Sequence, residues 1–511
     1  MKVVLIFPPE LYSKTQFASG VLPPLGISYI AGILHAKGHE VKIIDAIGEK
    51  PEQFIDCGKH LLRGLTFGEI IRQIPKNTDL IGISNLFTYM WPTVAALAKE
   101  IKSQFPQIPI VLGGAHPSAF PEIVMENPNI DFIVISEGEE TVVDLCEALE
   151  GRKEFAQLDG FAWRENGRVR KNPKTRFIKD LDALPYPKRD LLPMENYFKA
   201  REGHGATRGR WTTILASRGC PYTCDFCTSP QLWTTKWRPR KPAKVVDEIE
   251  ELIRTYGIED IHIEDDNLTV SKKWTNEYCD ELLKRKVPIT WQLSTGVRVE
   301  TVDKPTLQKM YESGCKNITF APESGNERVL KEILNKTIKP EAVKRAVKDA
   351  AEVGMRICLF FILGAPGETL EEARDTLRFA RDCAKLGADE ASFASFCPLP
   401  GSRSFELLEK EGKIKIDDEF YETLGYQSEL GRAKSWSPYI SSQQLVRLRK
   451  WAFFSFFMIS FLYHPSKGIR TFKNLFGDTQ ETKLDRLLQA KVKPRIKRYL
   501  RALTPVLNER P

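Results

Sequence analysis

Short apolar runs alternate with stretches of helical spacing along the first 400 residues, and this alternation leaves few folds open. Runs rich in Val, Ile and Leu, with no polar face, read as strands buried on both sides. That is the pattern of parallel sheets covered by helices. In the first set, strands are expected over 3–7, 41–45, 79–84, 109–113 and 132–136. Helices are expected over 24–37 and 92–105, and from Phe120 and Glu139. Residues 1–150 therefore read as a doubly wound parallel sheet. In the second set, strands are expected over 212–217, 258–263, 289–293, 317–321, 356–363 and 390–396, with helices between them. Six such units predict a partial (β/α)6 barrel within 211–412. Residues 151–210 read as a connector, with a short hairpin near 161–170, a Pro-rich extended stretch, and a mobile Gly-rich link over 203–209. Residues 413–511 read as mostly helical.

A chain of 511 residues is too long for one core, which agrees with several domains. Ten cysteines are scattered except for one triplet, so a secreted disulfide scaffold is not expected. The first residues stop at Pro8-Pro9 and read as a strand, not a signal peptide. No G-x-G-x-x-G follows that strand, which argues against a nicotinamide site. Net charge is +8, and the twelve Lys and Arg against four Asp and Glu from Phe461 onward account for all of it. Such a tail is either a solvated helical face or a surface for acidic partners. No specific nucleic-acid partner is expected.

The triplet is Cys220-Pro221-Tyr222-Thr223-Cys224-Asp225-Phe226-Cys227. It lies at the carboxyl end of the first strand of the second set, where barrels of this kind carry reactive groups. Three thiolates on one loop can hold three corners of a cubane iron–sulfur cluster and leave one iron open. The alternatives are a zinc knuckle, which usually closes with four protein ligands, and three ordinary buried thiols. No further Cys or His follows before His262.

The Cys-x3-Cys-x2-Cys spacing with Phe226 before the third Cys resembles the radical S-adenosylmethionine enzymes. The resemblance implies a [4Fe–4S] cluster on Cys220, Cys224 and Cys227, whose open iron chelates S-adenosylmethionine. Reductive cleavage then yields a 5′-deoxyadenosyl radical. It further implies that Phe226, Asp266, Arg298 and Glu323 contact S-adenosylmethionine. Asp266 would face its amino group, Arg298 its carboxylate and Glu323 its ribose. The family's frequent Gly-Gly-Glu is absent, so the contact among Glu264, Asp265, Asp266 and Asn267 stays open.

The first 150 residues resemble the cobalamin-binding domain that precedes many such barrels. By that resemblance Ser84, Gly113 and Gly114 run against the corrin. The Asp-x-His-x-x-Gly loop that ligates cobalt in the better-known branch has no counterpart, since Pro8 to Pro24 contains no His. His116 could touch the cofactor or be an ordinary hydrogen-bonded loop residue. Asp260-Ile261-His262 lies in the wrong domain to replace the missing motif.

Together these features resemble the cobalamin-binding radical S-adenosylmethionine enzymes, including the anaerobic magnesium-protoporphyrin IX monomethyl ester cyclase-like group and the class B radical methyltransferases. The expectation is an α/β chain: a Rossmann-like cobalamin-binding domain, a partial (β/α)6 TIM-type radical barrel and a helical C-terminal region. The expected reaction is C-methylation of an unactivated carbon, with methylcobalamin as the methyl donor. The alternatives are an oxidative cyclase or rearrangement enzyme, and a non-catalytic cluster and cobalamin sensor. An electron donor such as flavodoxin or ferredoxin and a cytoplasmic location go with this reading. The apolar run Trp451 to Tyr463 is too short to span a bilayer. It is expected as a buried helix on the barrel mouth. Its other uses would be lining for a bulky apolar substrate (lipid, terpenoid or tetrapyrrole) or contact with a membrane surface.

Overall fold

The structure is a computed structural model and describes residues 1–14 and 20–493. Two parallel sheets organise it. In the first, β1 (Lys2–Phe7) lies between β2 (Glu40–Asp45) and β3 (Leu80–Ser84), followed outward by β4 (Ile110–Gly113) and β5 (Phe132–Val134), all parallel. Val3, Val4, Leu5 and Ile6 are all buried, because helices cover both faces of the sheet. The hairpin β6 (Phe161–Glu165) and β7 (Arg168–Asn172) then adds antiparallel to β5. The sheet thus runs on past residue 150 into the expected connector. A small antiparallel sheet of Glu10–Ser13, Phe54–Cys57 and His60–Arg63, which sequence periodicity does not announce, sits beside it.

The second sheet has the order β8 (Trp211–Ile214), β9 (Asp260–Ile263), β10 (Thr290–Val297), β11 (Cys315–Glu323), β12 (Arg356–Leu363) and β13 (Glu390–Ser395). Every neighbour pair is parallel and sequential, as an open six-stranded barrel requires. The intervening helices follow local rules. Pro242–Tyr256 starts on a proline, buries Val245, Val246, Ile249 and Leu252, and stops at left-handed Gly257. Leu370–Lys385 opens on a Thr369/Glu372 capping box.

The lumen is narrow and polar. Gln292, Ser294, Asn317, Thr319, Cys358 and Glu390 from four adjacent strands line one small cavity. The segment over 203–209 is not a mobile link. Gly203, Gly205, Ala206 and Thr207 are buried in the lumen, with Gln292 donating to the Ala206 carbonyl at 2.6 Å. Gln480, Glu481 and Leu484 close the same end through Thr207, Arg356 and Glu390.

The C-terminal region clamps the domains together. Phe405, Phe420 and Tyr421 join Ile6, Val94, Phe120, Leu330 and Phe396 in one apolar core. The helix Ser442–Tyr463 packs on Leu370–Lys385 and the edge strand β13, along the barrel flank and not on its mouth. Arg449 from this helix is buried and donates to the carbonyls of Phe393, Glu429, Arg432 and Gln427. No described helix is long and apolar enough to cross a membrane. The part of the basic tail beyond residue 493 lies outside the described residues.

Candidate active site between the two sheets

The cysteine loop begins where β8 ends. Ser217–Arg218 pairs antiparallel with Arg238–Pro239, and Gly219 then turns the chain with φ 88°. A Cβ there would lie 2.3 Å from the Lys236 carbonyl oxygen, so only glycine fits. Cys220, Cys224 and Cys227 are all free and half-buried. Burial pushes all three thiols up, Cys227 to about 12. The thiols hold their protons until a metal displaces them. No three metal-binding side chains converge on a single ion position among the described residues. A cubane asks for less convergence, since each thiolate holds a different iron.

The loop is braced from the segment after β11. Asn335 donates to the Thr223 carbonyl at 2.9 Å and to Asp225 at 3.1 Å, while the Asp225 amide donates to the Leu334 carbonyl. Between Glu323 and these residues the chain forms a π-helical turn over Val329–Ile333, a rare geometry frequent at functional sites. Lys336 is buried, 2.9 Å from the Glu323 carboxylate and 5.9 Å from the Phe226 ring. Glu323 has φ 64°, a strained conformation for a non-glycine residue.

The other expected ligand contacts surround the same loop. Asp266 follows β9 and accepts from Ser229 Oγ at 2.6 Å, two residues beyond Cys227. Its side chain is exposed to solvent, yet the protein atoms crowded around it push its carboxyl above the usual range, through desolvation. Arg298 follows β10, stacks 3.9 Å over the ring of Tyr222 and pairs with Glu300 at 3.0 Å, leaving Nε unpartnered. Cys220, Cys224, Cys227, Phe226, Asp266, Arg298 and Glu323 thus share one end of the barrel. On the lumen side, His204 meets Glu264 at 2.8 Å and Glu264 accepts from Ser294 at 3.0 Å. Burial alone would raise the Glu264 carboxyl, but the electrostatics and hydrogen bond of the adjacent His204, with smaller help from His262 and Ser294, hold it below its usual value. His262 itself lies deep in the barrel, stacked on Trp211.

The first sheet presents its carboxyl edge to this end. Ser84 is in register with Gly113, and Asn85 donates its amide to the Gly113 carbonyl at 2.8 Å. Nothing lies within 4 Å of where a Gly113 Cβ would be. Gly114 has φ 122°, and a Cβ would fall 2.4 Å from the Asn85 carbonyl oxygen. Asn85 and His116 are fully buried, yet both Asn85 side-chain polar atoms and both His116 ring nitrogens lack partners. His116 is therefore no ordinary hydrogen-bonded loop residue. Its ring packs among Trp91, Phe120 and Tyr421, and desolvation lowers its pKa to about 3. Buried polar atoms without partners are costly. The open edge at Gly113 leaves room for a bulky ligand, which the wholly covered side chains of Asn85 and His116 do not face.

A buried ion-pair cluster joins the two halves. Arg218, two residues before Cys220, reaches Glu139 at 2.5 Å and Glu137 at 3.5 Å, both following β5. Arg238 holds Glu137 at 2.7 Å. Ser136 donates to the Leu232 carbonyl just beyond the cysteines. Arg218, Lys336, Asn335 and His204 carry no motif; only their proximity in space reveals them.

Comparison with known proteins accords with this geometry. The Radical SAM superfamily matches residues 214–380 and the B12 binding domain matches residues 17–146. An uncharacterized methyltransferase of Pyrococcus horikoshii is 32% identical over 90% of this chain and 93% of its own length. The cytidylyl-2-hydroxyethylphosphonate methyltransferase of Streptomyces wedmorensis is 32% identical over 78% of this chain and 80% of its own. The anaerobic magnesium-protoporphyrin IX monomethyl ester cyclase of Rubrivivax gelatinosus is 29% identical over 81% of this chain and 71% of its own. Among solved structures, the radical S-adenosylmethionine methyltransferase TsrM of Kitasatospora setae, with cobalamin and a [4Fe–4S] cluster bound, superimposes with a TM-score of 0.66. It is 16% identical, covering 90% of this chain and 88% of that one. The cobalamin-dependent enzyme OxsB gives 0.68 at 18% identity, covering 99% and 81%.

Proposed function

The chain belongs to the cobalamin-binding radical S-adenosylmethionine enzymes, which use a [4Fe–4S] cluster, S-adenosylmethionine and cobalamin, and on that premise we propose that it C-methylates an unactivated carbon of a small-molecule substrate. When bound, the cluster and S-adenosylmethionine supply a hydrogen-abstracting radical, and cobalamin supplies the methyl group. The observation that carries this reading is the direct contact of the cysteine loop with the glycine-edged sheet through Arg218 and Glu139. A substrate carbon at the barrel end would then face both cofactors.

The chain's own residues have separable tasks. Cys220, Cys224 and Cys227 hold the cluster. Asp266, Arg298 and Glu323 offer an acceptor, a cationic fork and a second acceptor to the ammonium, carboxylate and ribose groups of S-adenosylmethionine. Phe226 lies beside them. Ser84 and Gly113 leave room for the corrin, and Gly114 turns the chain tightly against Asn85 beside them. His204 and Glu264 line the lumen where substrate would enter. The helix Asp418–Leu424 lays Tyr421 against His116 and helps exclude water there.

The names of two of the most similar relatives favour methyl transfer. Oxidative cyclisation is the second reading, favoured by the cyclase relative. In either case a one-electron donor such as flavodoxin or ferredoxin would reduce the cluster. Anaerobic turnover with S-adenosylmethionine and extract-derived substrate pools separates the two. Methylation gives S-adenosylhomocysteine and 5′-deoxyadenosine together. Formation of 5′-deoxyadenosine with no S-adenosylhomocysteine would refute methyl transfer.

A further inference from the structure

Two consecutive helices of the C-terminal region turn an apolar, aromatic face outward. On Ser442–Tyr463, the residues Trp451, Phe454, Met458 and Leu462 recur at helical spacing, with Phe454 59% and Leu462 69% exposed. Leu445, Arg449, Ala452, Phe456 and Ser460 occupy the opposite, buried face. On Pro465–Phe476, Ile469, Phe472 and Phe476 repeat the pattern, with Phe472 64% exposed. Exposed apolar side chains in such rows are not ordinary surface scatter.

Charge decides what covers them. From Leu430 to Gly477 the sequence contains no Asp or Glu. Arg447 and Lys450 stand at the N-terminal end of the first row and Lys473 beside the second, all exposed. None of the three pairs with a carboxylate among the described residues. The sequence beyond residue 493 adds Arg495, Lys497, Arg498, Arg501 and Arg510 against one acid, Glu509. An apolar row of Trp and Phe flanked by unpaired cations is the composition of a helix lying in an anionic lipid interface. A second copy of the chain would bring the same cations against one another, with no acid in this region to meet them.

We infer that the face formed by Trp451, Phe454, Met458, Leu462, Ile469 and Phe472 docks the enzyme on an anionic membrane surface. The helices lie in the interface and do not cross it. This inference is independent of which reaction the site performs.

Vesicle sedimentation of the anaerobically purified holoenzyme tests it. Vesicles of phosphatidylcholine mixed with phosphatidylglycerol should pellet the protein, and raised salt should release part of it. Pure phosphatidylcholine should bind about tenfold less. The double variant Phe454→Glu/Phe472→Glu, with unchanged cofactor absorbance as its control for folding, should lose pelleting by about tenfold or more. Absence of pelleting with anionic vesicles overturns the inference. So does pelleting that the double variant retains. A wild-type dimer that becomes a monomer in the double variant, without vesicle binding, would assign the face to a second copy instead.

Discussion

Lys336 places its ammonium 2.9 Å from the carboxylate of Glu323, and both are buried behind the loop that carries Cys224. Glu323 is also held at φ 64°, so the pair fixes a strained acceptor at the end of β11. Replacing Lys336 by Met leaves Glu323 buried and unpaired, a loss of roughly 3–5 kcal/mol. Lys336→Met should therefore lower thermal stability markedly. Glu323→Gln keeps the shape and should weaken S-adenosylmethionine binding by about tenfold, or roughly 1.4 kcal/mol. Equilibrium dialysis of the reconstituted protein checks the second effect.

Two adjacent glycines should respond differently to the same methyl group. Gly113→Ala meets no protein atom within 4 Å and should fold normally. Gly114→Ala meets the Asn85 carbonyl at 2.4 Å with φ 122° and should be destabilised. If the corrin runs over this edge, Gly113→Ala should still lose about tenfold or more in cobalamin affinity. Cobalamin absorbance after gel filtration, beside the melting temperature, separates the two effects.

The Arg218 to Glu139 contact ties the cysteine loop to the first sheet. Burial alone would raise the Glu139 carboxyl, but the Arg218 charge holds it below its usual value. Arg218→Gln should cost roughly 3–5 kcal/mol by leaving two buried carboxylates without this cation. A double-mutant cycle with Glu139→Gln should show coupling of about 1 kcal/mol or more. Additive effects would mean that the contact does not hold the halves together.

Burial pushes the Glu368 carboxyl up to about 7 from an ordinary 4.5, and Oε1 has no partner. The fold therefore keeps a proton that the unfolded chain releases. This contribution to stability is full below the unfolded value and is lost as pH rises through about 7. Asp265, pushed by burial to about 7, adds to the same slope. Glu368→Gln should flatten the fall in melting temperature between pH 4.5 and about pH 7.

Much of this was legible in the residues. The strands β1 to β5 and β8 to β13 were expected because a strand buried on both faces writes itself as a continuous apolar run. Cys220, Cys224 and Cys227 were legible because one loop carries the whole spacing. The hairpin β6–β7 was legible as a hairpin but not as part of the first sheet, since its pairing with β5 leaves no mark on either strand. Gly203 to Thr207 read as mobile from composition, whereas the polar lumen of Gln292 and Asn317 gives that backbone hydrogen-bond partners. Lys336 and Arg218 were invisible because their roles come from carboxylates 13 and 79 residues away. For Trp451 to Tyr463, hydrophobicity alone did not show which side of the helix faces the barrel.

The most direct test of the central claim is electron paramagnetic resonance of the anaerobically reconstituted, reduced protein. The account predicts a [4Fe–4S] signal that S-adenosylmethionine perturbs and that Cys224→Ala abolishes. A signal unmoved by S-adenosylmethionine, or one that survives Cys224→Ala, would contradict it.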